Sequence, residues 1–255
     1  MGGVSIFVHA VRMVLGNLGP ALRIGVVPLL ITAVAGWFFA SNVAPVGAVP
    51  QMPGAGAFGS GLLLIVVQVL VSLWVAVAWH RYILLEEQPG AFLPQWNGGA
   101  IWEYFKVAII VGLILFLLSI VISLVAGFLV MPLMMSGSGP GLVAGMVIFV
   151  IIALPLAWLG YRLGPSLAGA AIGDPRNLSE SWSATARGAM DLFILAIVSV
   201  VALWLAQLPV MALQLTVPIL ATLLAAVVNW LTVMIGVGVI TTIYGHYVQG
   251  RPLNA

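Results

Sequence analysis

Charged and apolar positions alternate along this chain in long blocks. Three tracts, 24–80, 107–161 and 192–250, contain no Asp, Glu, Lys or Arg. Each tract has roughly 55–60 residues, and because a helix needs about 20 apolar residues to cross the hydrocarbon of a bilayer, each has room for two crossings and a turn. The pattern therefore predicts six transmembrane helices, near 22–41, 61–80, 107–131, 142–161, 192–213 and 218–243.

Proline, glycine and small polar residues mark a break inside each tract. The first break, 42–60, is uncharged and rich in Pro and Gly, which predicts an irregular external loop. The second, 132–140, is shorter. The third, 207–218, is marked by two prolines and leaves two alternatives, a turn outside the membrane or a segment that re-enters it.

All Lys and Arg residues lie in four segments outside these tracts, namely the N-terminus, 81–106, 162–191 and the C-terminus. By the positive-inside rule this side of the membrane is cytoplasmic, so both termini are expected inside the cell. Residues 12–41 also resemble a signal peptide, but a small-x-small cleavage site does not follow directly on the apolar run, and we predict a retained helix.

The composition restricts the class of protein further. Charged residues make up only 5% of the chain, against about 25% in soluble domains, so the sequence is that of an integral membrane protein. A net charge of +2 is too small to attract nucleic acid. Because the sequence has no cysteine, disulfide bonds and thiolate metal sites are excluded.

A similar arrangement of segments occurs three times. Ser5, His9, Arg12 and Gly16 share one face of an amphipathic stretch before the first span, and 97–106 forms a weaker stretch before the third. Before the fifth span, Asn177 and Glu180 have capping-box spacing, followed by one apolar stripe and by an Arg187–Asp191 pair one turn apart. The stripe comprises Leu178, Trp182, Thr185, Ala189 and Phe193.

The predicted fold is therefore all-α, a single polytopic membrane domain over 1–255. Six transmembrane helices form three hairpins, each preceded by an interfacial amphipathic helix on the cytoplasmic side. The possible repeats are 1–82, 97–162 and 177–247, all with the same orientation, unlike the inverted repeats of many secondary transporters.

Two stretches of sequence resemble a known family. These are IFVHAVRMVLGN near the N-terminus and YRLGPSLAGAAIGDPRNLSESWSATARGAMDLF from Tyr161 to Phe193, with Arg162, Pro165, Ser179 and Trp182 at the shared positions. They resemble the YciC family of bacterial inner-membrane proteins and the related membrane domain of some glycerophosphoryl diester phosphodiesterases. The resemblance implies a non-enzymatic protein associated with envelope or lipid homeostasis, without phosphodiester hydrolysis.

The sequence contains no recognisable catalytic, cofactor or metal motif, so we expect no enzyme and no cofactor. His9, His80 and His246 are too distant along the chain for a local metal motif, although all three are expected at the cytoplasmic interface. Interfacial anchoring is the favoured interpretation, and a metal-binding or proton-sensing cluster is the alternative.

Three groups of polar or aromatic residues are candidates for function. Glu86 and Glu87 follow a helix end, where negative charge is unfavourable, so we predict ion pairs with Arg12, Arg162 or Arg187. The second group consists of two intramembrane amides that either bridge helices or line a path, Gln68 and Asn229. The third group consists of candidates for contact with lipid head groups, namely Arg12, Trp102, Arg162, Trp182 and Arg187.

Three functions are compatible with these features. The first is a scaffold or lipid-associated protein of the bacterial inner membrane, with membrane lipid as its partner. The second is a channel or facilitator for a small neutral solute, which the intramembrane amides and Pro155 support. A proton- or sodium-coupled transporter is disfavoured, because no carboxylate lies within the predicted spans. The third is an accessory subunit that binds other membrane proteins.

Overall fold

The computed structural model describes residues 2–40, 55–135 and 141–253. Within these ranges the chain is helical and has no strands. The elements are α1 (Gly3–Gly16), α2 (Leu18–Ala40), α3 (Ala55–Leu85), α4 (Gly98–Met135), α5 (Gly141–Ile172), α6 (Leu178–Ala184), a 3₁₀ turn (Ala186–Gly188), α7 (Ala189–Gln214) and α8 (Pro218–Tyr247).

Six of these helices, α2, α3, α4, α5, α7 and α8, are long and apolar enough to cross a membrane. This confirms the number of spans predicted from the sequence. Their outward surfaces are apolar, and on α4 the side chains of Leu124 and Phe128 are 70% and 81% exposed. An apolar surface of this extent is typical of helices surrounded by lipid, and the protein is a polytopic membrane protein.

Neighbouring helices in the sequence pack together. Helix α2 contacts α3, α4 contacts α5, and α7 contacts α8, whereas α5 and α8 also contact each other and α3. Helix α1 lies against α7 and α8, where Ile6 and Ala10 join Leu192, Leu195 and Ile243 in one buried cluster. The first helix is therefore part of the bundle.

Several predicted boundaries differ from the structure. Residues 55–60 of the first predicted loop belong to α3, and 132–135 of the second belong to α4; the remainder of these two loops, 42–54 and 136–140, lies outside the described residues. Helix α7 continues through Pro209 to Gln214, so the third break is a turn at 215–217 and contains no re-entrant segment. Proline is tolerated inside membrane helices because neighbouring groups satisfy the freed carbonyl.

The interfacial helices also differ from the prediction. Asn97 caps α4, since its side-chain oxygen accepts from the Ala100 N–H at 3.1 Å, but 98–106 are continuous with the span and form no separate helix. The capping box of Asn177 and Glu180 is present. The apolar stripe behind it is interrupted by the 3₁₀ turn, because the Thr185 hydroxyl donates back to the Ser181 carbonyl at 2.9 Å and α6 ends there.

Candidate functional site

Hydrogen bonds join distant charged segments at one end of the bundle. His9 Nδ1 donates to the Leu253 carbonyl oxygen at 2.9 Å, and the Tyr244 hydroxyl donates to the Asp174 carboxylate at 2.5 Å. Arg81 Nη1 donates to the Ala171 carbonyl oxygen at 3.0 Å. We call this region, comprising α1, 86–97, 173–188, 248–253 and the last turns of α3, α5 and α8, the charged end.

The segment after α8 turns back over its own helix. Gly250 has φ of +69°, a conformation that glycine adopts without steric cost, and the Arg251 N–H donates to the Gly245 carbonyl at 2.8 Å. The Arg251 guanidinium then donates to the carbonyl oxygens of Ile83 at 3.3 Å and Leu84 at 3.1 Å. A positive charge at the C-terminal carbonyls of α3 is favourable, so Arg251 caps that helix.

A cavity of about 520 Å³ lies at the charged end between α1, the end of α3, α8 and the returning segment. All of its lining residues are described by the structure, and none is Asp or Glu. Apolar side chains contribute to the lining, among them Met13, Ile83 and Leu84. The polar side chains that line it are His9, Arg12, Asn17, Thr241, Thr242, His246 and Arg251. The cavity is therefore cationic and partly apolar.

Two of the three histidines contribute to this cavity. His9 Nδ1 contacts the Leu253 carbonyl oxygen and His246 Nδ1 contacts the Arg251 carbonyl oxygen at 3.1 Å. A carbonyl only accepts, so Nδ1 carries a proton in both rings and Nε2 remains available.

His80 has a different role. It is buried, and its Nδ1 donates at 2.9 Å to the Thr241 hydroxyl, which itself donates to the Val237 carbonyl. This contact bridges α3 and α8. The described residues contain no group of three potential metal ligands, so the geometry does not assemble the three histidines into a metal site.

Arg12 and Arg162, both proposed as head-group contacts, occupy opposite environments. Arg12 is exposed on α1, lines the cavity, and has no ion-pair or hydrogen-bond partner among the described residues. Arg162 is 4% exposed, so its guanidinium does not lie at the surface where the sequence placed it.

The Arg162 guanidinium is held between two indole rings. Its central carbon lies 3.9 Å from the centroid of Trp182 and 5.7 Å from that of Trp158, and Nη2 donates to the Trp182 carbonyl at 2.7 Å. Arg162 has no carboxylate partner among the described residues. Cation–π contacts and a carbonyl near the end of α6 therefore stabilise its charge.

The remaining interface candidates are accessible. Trp182 and Trp102 are 41% and 57% exposed, and Arg187 is exposed in the 3₁₀ turn. The predicted pair of Arg187 with Asp191 is not formed. Ion pairs among the described residues are Arg81–Glu87, Lys106–Glu103 and Arg176–Asp174.

The predicted partners of Glu86 and Glu87 were wrong. Helix α3 ends at Leu85, and Glu86 adopts φ of +58°, which turns the chain back along the helix. Glu87 consequently pairs with Arg81, whose Nε donates to its carboxylate at 2.8 Å. Because Arg81 also binds the Ala171 carbonyl, this pair fixes the contact between α3 and α5.

Asp174, in the loop after α5, connects that loop to α8. The hydrogen bond from Tyr244 and then the charge and hydrogen bond of Arg176 lower the pKa of its carboxyl group, against an opposing effect of desolvation. The carboxylate is therefore ionised at neutral pH and holds the end of α8.

Gln68 and Asn229 line one small cavity between α2, α3 and α8. Its volume is about 40 Å³, and Thr32 and Ser72 also line it. The structure brings the two amides to the same place without a direct hydrogen bond between them. Room for a few water molecules is available, which suits local hydration of polar groups better than a continuous path.

Sequence reasoning missed the larger cavity because its walls come from opposite ends of the chain. The signals that pointed to it were the polar face of α1 and the cationic residues beside the last span. Comparisons with protein families, with curated proteins and with solved structures found no match for this chain.

Proposed function

We propose that this chain is a non-enzymatic protein of the bacterial inner membrane that associates with anionic lipid through its charged end. The observation that carries the proposal is an excess of unpaired cations in the segments outside the charge-free tracts. Within the part of the chain that the structure describes, three of the eight Lys and Arg are in ion pairs, which leaves five arginines; of the six Asp and Glu, three remain. Unpaired arginines beside exposed tryptophans suit a surface of anionic head groups.

The orientation belongs to the same proposal. Both termini and the charged end face the cytoplasm, and the six spans form three hairpins whose outer turns lie on the opposite side. The excess of Lys and Arg outside the charge-free tracts supports this arrangement. The resemblance to the YciC family, with its association to envelope or lipid homeostasis, agrees with the same role.

Cysteine labelling tests the orientation directly, because the chain has no native cysteine. Ser183 lies exposed in α6 at the charged end, and Leu215 is 89% exposed in the turn between α7 and α8. In intact cells, a membrane-impermeant maleimide should label Leu215→Cys at the outer face and leave Ser183→Cys unmodified until the membrane is opened. Labelling of both variants in intact cells would refute the orientation.

Lipid analysis tests the association itself. Protein extracted in a neutral detergent should retain anionic phospholipid in a larger proportion than the membrane from which it came. Arg187→Gln and Arg12→Gln should each reduce this enrichment, since each removes an exposed unpaired charge worth about 1 kcal/mol near an anionic surface. A wild-type lipid composition equal to that of the bulk membrane would contradict the proposal.

A facilitator for a small neutral solute is the second candidate. The convergence of Gln68 and Asn229 on one cavity between three helices supports it, and the small volume of that cavity counts against it. Liposomes containing the protein test it by solute uptake. Uptake abolished by Asn229→Leu or Gln68→Leu would favour the facilitator over lipid association.

A further inference from the structure

The cavity at the charged end has the chemistry of a phosphate site. The hydroxyls of Thr241 and Thr242 donate to the carbonyls of Val237 and Gly238 within α8, and therefore offer no proton to a ligand. Asn17 is partly occupied, because it donates one amide N–H to the Met13 carbonyl and accepts from the Tyr82 hydroxyl. The strongest remaining donors are the guanidinium groups of Arg12 and Arg251.

Arginine and histidine side chains surround the cavity from three elements, α1, α8 and the segment after α8. Arg12 on α1 has all of its guanidinium N–H groups unoccupied among the described residues, and Arg251 uses two of its groups on the end of α3. His9 and His246 each present Nε2 after donating from Nδ1. A ligand that supplies several acceptor oxygens and negative charge would be bound by both arginines.

The remainder of the lining indicates which phosphate fits. Met13, Ile83, Leu84 and Leu253 place apolar surface beside the cations. Free phosphate would leave this surface uncovered, whereas a glycerol backbone and the first methylenes of acyl chains would cover it. The volume of about 520 Å³ is within the usual range for small-molecule sites.

We propose that this cavity binds the phosphate of an anionic phospholipid head group. The inference rests on the proposed association with lipid and adds a single saturable site to it. Arg12 is the principal ligand, since its charge has no other described partner. Arg251 has a second, structural role in capping α3, so Arg12 is the better position for a test.

The experiment is calorimetric titration of the purified full chain in neutral detergent with dihexanoyl phosphatidic acid. Wild-type protein should bind one equivalent, and dihexanoylglycerol, which lacks the phosphate, should not bind. Arg12→Gln should weaken the affinity about tenfold or more, because a charge-assisted contact is lost. Arg12→Lys should retain part of the affinity, since the charge remains without the planar fork.

Arg23→Gln is the matched control. Arg23 is also exposed and without a described ion-pair partner, but it lies on α2 outside the cavity lining, so its removal should leave the affinity unchanged. An unchanged melting temperature of Arg12→Gln without ligand would show that the variant is folded; if it falls, Arg12→Lys replaces it.

Three outcomes would overturn the site. Equal losses for the Arg12 and Arg23 variants would indicate non-specific attraction, and binding of dihexanoylglycerol as tightly as of phosphatidic acid would remove the role of the phosphate. Inorganic phosphate binding as tightly as the lipid, with the same dependence on Arg12, would identify free phosphate as the ligand. Each of these results is compatible with anionic lipid enrichment in the wild type, so the failure of the site is distinguishable from failure of the proposed function.

Discussion

The indole rings around Arg162 provide the sharpest test of what stabilises the charged end. A buried arginine without a carboxylate is costly, and here the face of Trp182 lies 3.9 Å from the guanidinium carbon. A cation–π contact at this separation and in a desolvated position contributes about 2 kcal/mol. The contact with Trp158, at 5.7 Å, is near the distance limit and should contribute about 0.5 kcal/mol.

A double-mutant cycle isolates these contributions. Arg162→Met removes the charge and keeps an apolar chain, Trp182→Leu removes the ring, and the double variant removes both. The carbonyl of Trp182 that accepts from Nη2 belongs to the backbone and is retained in Trp182→Leu, so the cycle reports the ring alone. We expect a coupling of about 2 kcal/mol in the free energy of unfolding.

The free energy of unfolding is obtained from SDS titration in mixed micelles, followed by circular dichroism. Trp158→Leu serves as the internal control, because its coupling with Arg162→Met should be several times smaller. Arg162→Met alone should change stability little, since replacing a buried charge by an apolar chain is often neutral. Additivity of Arg162→Met and Trp182→Leu within about 0.5 kcal/mol would refute the explanation by cation–π contact.

Three further predictions concern other parts of the charged end. In the folded protein the pKa of Asp174 lies below its ordinary value of 3.8, so the unfolded chain takes up the proton first as the pH falls. The stability of the protein should therefore decrease as the pH falls below that ordinary value. Thermal unfolding of Asp174→Asn, measured over the same pH range, should lack this decrease. Gly3→Ala should destabilise the protein by about 1–3 kcal/mol, because the added methyl meets the backbone of α7 at Asp191. Gly112→Ala is the control, since Gly112 has open space around it and the added methyl should not destabilise the protein. Equal shifts in the melting temperatures of the two variants would contradict this packing. A charge-swap cycle should show coupling of Glu87 with Arg81 of about 0.2–1 kcal/mol and none with Arg187, and rescue by Arg187 would show that the observed pair is wrong.

The number of spans was predictable from the sequence because charged side chains are excluded from hydrocarbon more strictly than any other kind of side chain. Their ends were less predictable. Pro209 belongs to the predicted third break, yet it lies inside α7, and Pro165 lies inside α5 beyond the predicted end of the fourth span. Within a membrane, ending the helix would leave several backbone groups without hydrogen bonds, and this costs more free energy than the one hydrogen bond that proline removes. Proline is therefore a poor signal of a helix boundary there.

The candidate site was predictable only in parts. Arg12 was identified from the polar face of α1, but its neighbours across the cavity come from the end of the chain and from α3. Burial of Arg162 could not be predicted, because an arginine after an apolar run normally extends to the interface. Arg81 and Glu87 are six residues apart, and a continuous helix does not bring side chains at this spacing together. Their ion pair requires the left-handed turn at Glu86.

Helix α4 has a consequence for how the protein responds to its bilayer. Its charge-free part, 107–135, is the 38-residue helix without its first nine residues, or about 43 Å of helix against about 30 Å of hydrocarbon, and it packs mainly on α5. Such a peripheral helix must tilt or protrude, and it is held by few neighbours while doing so. Thickness of the surrounding bilayer is therefore expected to set the angle of α4 and, through α5, to act on the segment that carries Arg162.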